Sequence, residues 1–239
     1  MICLADTAGS VGNEKRLLRL SRKTNMLMQE VICLPDNDGS LFLWRNFMLE
    51  FQAERAQSLL EKTELIHDAA TVRAAVARIA FELNQRFGQP GSPAYPLVLG
   101  VMGGAVVFTG NLLPQLAFPL EYDYIHVTRY GDGDRGGRVE WKVIPRKNVA
   151  GRIVIVLDDI LDEGETLAQV RQRLLDMGAA EVVLAVFADK ETGRKKAARA
   201  DHVGLTVPDK FVIGYGMDIH GAWRNLPEIR ALRPEAIAS

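Results

Sequence analysis

The sequence predicts an α/β fold built on a mostly parallel sheet covered on both faces by helices. Three observations carry that expectation. Apolar strand-like runs alternate with segments of helical spacing over most of the chain. The run IVIVL at 153–157 is apolar without alternation, as a strand buried on both faces must be. Hydrophobic residues make up 48% of 239, enough for one sizeable core.

The elements run in this order. Phe51 to Leu60 and Ala69 to Phe87 read as helices, the second with Val72, Val76, Ile79, Ala80 and Leu83 on one stripe. The Gly/Pro-rich stretch GQPGSPAYP, 88–96, reads as a loop. A strand is expected at 97–101, a helix from Gly104 to about Leu116, and strands near 120–129 and at 139–143, flanking a Gly/Asp-rich loop at 131–137. Strand 152–158 leads to a helix over about 165–177, closed by Gly178. Strands at 181–188 and 211–215 bracket a basic loop. Residues 1–47 lack such periodicity and read as a poorly ordered or loosely docked extension, or as an upstream reading frame with Met48 near the start. Residues 48–239 form the domain.

Composition narrows the function classes. The charge balance is 29 basic to 30 acidic, with no global basic footprint for nucleic acid. Two cysteines, Cys3 and Cys33, form neither a disulfide framework nor a metal-ligand spacing, so a reducing cytoplasm is expected. No basic-then-apolar leader and no apolar run of about 18 residues point to secretion or to a membrane partner.

The chemistry concentrates in IVIVLDDILDEGETL, 153–167. A buried strand ends in Asp158 and Asp159, where carboxylates are costly unless paired or ligated. Gly164 permits a tight turn whose amides can point at a phosphate, aided by the helix dipole and by the Thr166 hydroxyl. Asp162 and Glu165 also have the spacing of an ordinary helix-capping pair, so the turn alone admits a purely structural reading.

The combination of apolar strand, two acids, two apolar residues, Asp, one residue, Gly, one residue and Thr resembles the phosphoribosyl pyrophosphate motif of type I phosphoribosyltransferases. Glu163 and Glu165 stand where many relatives carry Thr and Lys. FADK (187–190) with VPDKFVIGYGMD (207–218) is similar to the purine-binding region of the hypoxanthine-guanine branch, and GMDIHGAWRNL (216–226) to its closing segment. VMGGAVVFTGNLL (101–113) resembles the family's first active-site loop, and TRYGDGDRGGRVEWK (128–142) its mobile loop.

The resemblance implies a parallel sheet of four or five strands with flanking helices and a small C-terminal hood. It implies transfer of the 5-phosphoribosyl group from phosphoribosyl pyrophosphate to hypoxanthine or guanine, with Mg²⁺ as cofactor. Asp162 would lie nearest the purine N7 and be the catalytic residue, as general base or hydrogen-bond partner. Met102, Gly103, Gly104, Arg129, Tyr130, Asp158, Asp159, Glu163, Gly164, Glu165, Thr166 and Arg224 would bind the phosphoribosyl and pyrophosphate groups, with a non-proline cis peptide nearest Met102–Gly103. Lys190 would donate to the purine O6, Phe211 would stack on the ring, and Val212 would read its far edge. An ammonium only donates, so it suits a 6-oxo group and not a 6-amino group. Asp158, Asp159 and Asp218 would serve the metal. The partners expected are small-molecule substrates and further copies of the chain, a dimer or tetramer, with neither nucleic acid nor membrane. Against this stand plainer readings: Lys190 as one of a solvated basic loop with Arg194, Lys195 and Lys196, and Phe211 as a core residue. His220 reads as incidental and Trp223 as packing. A nucleotide- or RNA-binding regulator of the same fold is the competing class, and a pyrimidine- or adenine-specific relative is a third candidate, with the lysine donor arguing against adenine.

Overall fold

The computed structural model describes residues 52–91, 94–130 and 138–234, with the backbone alone at Arg129, Tyr130 and Arg138. The extension expected over 1–47 lies outside the described residues.

A helix at 52–61, α1, leads into β1 (Thr63–His67) and α2 (Ala69–Phe87). Then come β2 (Leu97–Met102), α3 (Val106–Leu112), β3 (Glu121–Tyr130), β4 (Arg138–Val143) and β5 (Ile153–Leu161). The chain continues through α4 (Glu165–Asp176), β6 (Glu181–Glu191), β7 (His202–Pro208), β8 (Val212–Ile213) and β9 (Ile229–Leu232).

The main sheet has the order β4-β3-β2-β5-β6-β7. Its strands run parallel except for β4, which returns antiparallel on β3. Successive side chains of a strand point to opposite faces, and β5 shows the consequence. Ile155 and Leu157 join the core with α2 and α3 residues such as Ile79, Leu83 and Phe108. Val154 and Val156 join the opposite core with Leu167, Val170 and Leu174 of α4. The uninterrupted apolar run therefore reflects two covered faces. At the start of α2, the Asp68 carboxylate accepts from the Thr71 amide at 2.8 Å, satisfying one of the orphan N–H groups of a helix end. α4 ends as expected at Gly178, whose φ of +92° suits a residue without Cβ.

The hood is a second sheet, β1-β9-β8, antiparallel throughout. It draws β1 from the start of the domain as well as the C-terminal segment expected to build it. Val212, Tyr215, Ile229 and Ala231 of this region pack into the α2/α3 core, and Tyr215 meets Phe187 with ring centroids 4.3 Å apart. Burial pushes the Tyr215 hydroxyl up to about 12.

Several boundaries differ from the sequence reading. β5 continues through Leu161, in register with Asp189, so Asp158 and Asp159 lie within the strand and the loop begins only at Asp162. β6 continues to Glu191 and carries Lys190 on a strand. The strand expected over 211–215 stops at Ile213 because Gly214, Tyr215 and Gly216 all turn through positive φ. The helix expected from Gly104 starts at Val106, after a turn, and gives way to a 3₁₀ turn at Leu113–Gln115, where Pro114 has no N–H to continue it.

Candidate active site

The turn after β5 is not an ordinary capped helix start. The N-cap of α4 is Gly164, at φ +82°, and no side chain caps it. A Cβ at Gly164 would stand 2.7 Å from the Ala198 amide nitrogen, so only glycine lets this turn lie against the 196–198 segment. Asp162, which a capping box would aim at the helix amides, meets Lys190 instead: Nζ donates to Oδ2 at 2.6 Å. Asp158, Asp162, Gly164 and Thr166 help line a cavity of about 190 Å³ at this helix start. Amides at a helix N-terminus beside such a cavity can accept an anion. Glu163, the residue that departs from the family pattern, holds its side chain about half exposed, 3.9 Å from Arg194. Its carbonyl accepts from the Ala197 amide at 2.9 Å.

Asp158 and Asp159 are adjacent and withdrawn from water. Burial pushes both carboxyls above the usual aspartate range, and for Asp158 the neighbouring Asp159 charge adds to the effect. The Arg224 guanidinium pulls the other way on Asp159. A pair held in this state gains from a cation or from hydroxyl donors brought to it.

Lys190 is no member of a solvated loop. Its side chain is 13% exposed and leans on Asp162. Phe211 is no core residue either: it is 46% exposed, immediately before edge strand β8, which begins at Val212. An open aromatic ring suits the face of a flat heterocycle, and a shielded ammonium suits an acceptor on such a ring's edge.

Three distant segments meet tightly beside the acidic pair. The Met102–Gly103 peptide is cis, at the position expected. A Cβ on Gly104 would fall 1.8 Å from Asp159 Oδ2, and one on Gly216 would fall 2.1 Å from the Gly104 carbonyl oxygen. The loop after β2, the end of β5 and the turn after β8 are thus packed backbone to side chain, with no room for a methyl group. Arg224 is fixed in the last of these turns. It donates to the Gly216 carbonyl through Nη1 and pairs with Asp218 Oδ1 through Nη2, both at 2.5 Å. Asp218 also accepts from the Gly221 amide at 2.7 Å. Its carboxylate therefore orients Arg224, a role the sequence did not suggest. His220 is exposed, and Trp223 packs in the hood while its indole donates to the Ala56 carbonyl at 2.7 Å.

Arg129 and Tyr130 end β3, paired with Val139 and Arg138 of β4, and the 131–137 tip of this hairpin lies outside the described residues. The ribbon is tied to α4 where the Val139 amide donates to Gln169 Oε1 at 3.0 Å. A wider groove of about 470 Å³, lined by Arg86, Arg171, Arg199 and His202 among others, holds none of the expected site residues. The geometry favours the smaller cavity, because Asp158, Asp162, Gly164 and Thr166 line it and Lys190 is paired with Asp162. Sequence reasoning missed Gly216 and the backing segment Lys196–Ala198. Only a positive φ marks Gly216, and the backing segment reads as a charged loop.

Comparison with known proteins identifies the family. The profile of the family described as "Phosphoribosyl transferase domain" matches residues 62–220. A hypoxanthine-guanine phosphoribosyltransferase of Bacillus subtilis is 32% identical over 169 residues, covering 70% of this chain and 92% of that protein. The crystal structure of a Staphylococcus aureus hypoxanthine phosphoribosyltransferase superimposes with a TM-score of 0.69 at 25% identity, covering 76% of this chain and 97% of that one. The bifunctional protein TilS/HprT of Listeria innocua is 42% identical over 142 residues, 59% of this chain. There the chain spans 22% of the relative's length. The chain belongs to the phosphoribosyltransferase family, with the type I fold, in its hypoxanthine-guanine branch.

Proposed function

We propose that the protein is a purine salvage enzyme. It transfers the 5-phosphoribosyl group from phosphoribosyl pyrophosphate to hypoxanthine or guanine, giving IMP or GMP and pyrophosphate. The observation that carries this reading is the 2.6 Å pairing of Lys190 with Asp162 at the mouth of the 162–166 turn. A donor-only ammonium and a carboxylate together suit a ligand that offers an oxo acceptor and must lose a proton.

In the reaction, the bond between ribose C1 and the pyrophosphate oxygen breaks and a bond from C1 to a purine nitrogen forms. The proton leaving the purine passes to the Asp162 carboxylate. Amides of 162–166 and the Thr166 hydroxyl hold the 5′-phosphate, with Glu163 and Glu165 at the same turn. Met102, Gly103 and Gly104 face the pyrophosphate through their backbone. Arg224, oriented by Asp218, neutralises charge that builds on the leaving group. Arg129 and Tyr130 are assigned to the closing ribbon. Phe211 and Val212 flank the base.

The side chains present fit a magnesium ion. Asp158 and Asp159 offer oxygen donors whose burial is offset only in part, by Arg224 acting on Asp159. Among the described residues no three or more acidic, His or Cys groups cluster as a metal cage. This suits a cation that binds through one or two carboxylates together with substrate phosphates and water. Asp218 would act on it only from a distance, since its carboxylate is engaged by Arg224. When bound, the ion supplies charge neutralisation at the pyrophosphate.

The test is direct product detection. Hypoxanthine, phosphoribosyl pyrophosphate and Mg²⁺ should yield IMP and pyrophosphate in equal amounts, and Asp162→Asn should abolish most of that yield. Binding of a nucleotide or an RNA with no product from any purine overturns the reading.

A further inference from the structure

Lys196 belongs to a stretch that reads as a solvated basic loop, yet its side chain is only 15% exposed. Its ammonium makes two contacts, donating to the Leu161 carbonyl at 2.7 Å and to the Asp189 carboxylate. These two partners are the last register pair of the β5–β6 ladder, Leu161↔Asp189. Lys196 therefore clamps the ends of both strands at once.

The residues next in the chain give this clamp its meaning. Asp162 comes directly after Leu161, and Lys190 directly after Asp189. Successive strand residues point to opposite faces. With Asp189 held on one face by Lys196, Lys190 projects from the other, where it meets Asp162. The neighbouring residue extends the hold: the Ala197 amide donates to the Glu163 carbonyl at 2.9 Å. The carbonyls on either side of Asp162 are thus both fixed by residues 196 and 197. Gly164, with no Cβ, lets Ala198 approach the same turn.

We infer that Lys196 is a positioning residue that sets Asp162 and Lys190 in their working geometry, through Leu161 and Asp189 respectively. The inference rests on the reaction proposed above and deepens it. Lys196 itself touches no substrate. Its loss would let both groups drift, and a misplacement of about 1 Å at a reacting pair costs on the order of 10²-fold in rate.

Three variants test this: Lys196→Met, Lys196→Arg, and the double variant Asp189→Asn/Lys196→Met, which removes the carboxylate that the single variant strands. In Lys196→Met, kcat/KM for hypoxanthine should fall about 10- to 100-fold. The KM for phosphoribosyl pyrophosphate should move by about 2-fold or less, because the 162–166 amides and the Ala197 contact persist. Lys196→Arg, whose fork can reach both acceptors, should recover part of the loss. The double variant should regain thermal stability and still show the low kcat/KM. If it regains both, Lys196 only neutralises Asp189 and the inference is overturned. A single variant too unstable to assay leaves the double variant as the deciding protein. If the wild type turns over no 6-oxopurine, the proposed reaction fails, and positioning is then judged by hydrogen exchange. Faster exchange of amides 162–166 in the double variant, at matched global stability, supports it. Unchanged exchange overturns it.

Discussion

Asp162 and Lys190 leave neighbouring parallel strands at the same level, and their side chains meet at 2.6 Å. Each group thus holds the other in place when no purine lies between them. In the proposed reaction a 6-oxopurine would replace this contact with two others, O6 to the ammonium and a ring N–H to the carboxylate.

The two halves of the pair should fail differently. Asp162→Asn should lower kcat by about 10- to 10⁴-fold, the range of general acid–base contributions, with little change in the KM for phosphoribosyl pyrophosphate. Lys190→Ala should raise the KM for hypoxanthine and erode the preference for 6-oxopurines. Steady-state kinetics of both variants with each substrate varied in turn check this. Identical losses in both parameters for both variants would contradict it.

Gly164→Ala should damage phosphate binding and stability together. The position needs φ +82°, and the added methyl would lie 2.7 Å from the Ala198 amide nitrogen. The left-handed conformation alone costs a non-glycine residue about 1–2 kcal/mol. The expected outcome is a lower Tm and a raised KM for phosphoribosyl pyrophosphate, read by thermal unfolding and kinetics. A variant with wild-type values for both would show that the turn is not held against 196–198.

The buried acidic pair predicts a pH effect with a definite sign. Asp158 and Asp159 are raised above the ordinary value of 3.8, so the folded protein binds more protons than the unfolded chain just above that pH. Unfolding free energy from these groups then falls as pH rises through that window. Asp158→Asn removes the penalty. Its Tm advantage over the wild type should be small near pH 4 and larger at pH 8, in the absence of Mg²⁺ and nucleotide, while catalysis declines. An advantage that shrinks with rising pH would mean the pair is stabilised as ions by something else.

Much of the site was legible in the sequence because its signals are local. The strand–acid–turn–helix order of 153–167 sits in one continuous stretch, and the structure brings Asp158, Asp162, Gly164 and Thr166 to one cavity. The helix stripe of α2 and the two-faced burial of β5 were likewise readable from periodicity. The missed strands β1, β7 and β9 are short or lie at a sheet edge, and they exist through pairing with distant residues, as Thr63 pairs with Leu232. Propensity does not encode such partners. The same reason hid Lys196: its burial depends on two strand ends that become neighbours only in the folded chain. The pairing of Asp218 with Arg224 was not legible either, because it depends on how the turn after β8 folds.

The central claim is that this site joins phosphoribose to a 6-oxopurine, and base selectivity measures it most directly. The wild type should be supplied with phosphoribosyl pyrophosphate, Mg²⁺ and, separately, hypoxanthine, guanine, xanthine, adenine and uracil, with nucleotide formation followed for each. Hypoxanthine or guanine should be converted efficiently. Adenine, which presents an amino donor to the Lys190 ammonium, should be disfavoured by about 10⁴-fold in kcat/KM, the scale on which a site rejects a ligand that leaves its buried donor unpaired. Adenine turnover comparable to that of hypoxanthine, or no nucleotide from any of the five, would contradict the account.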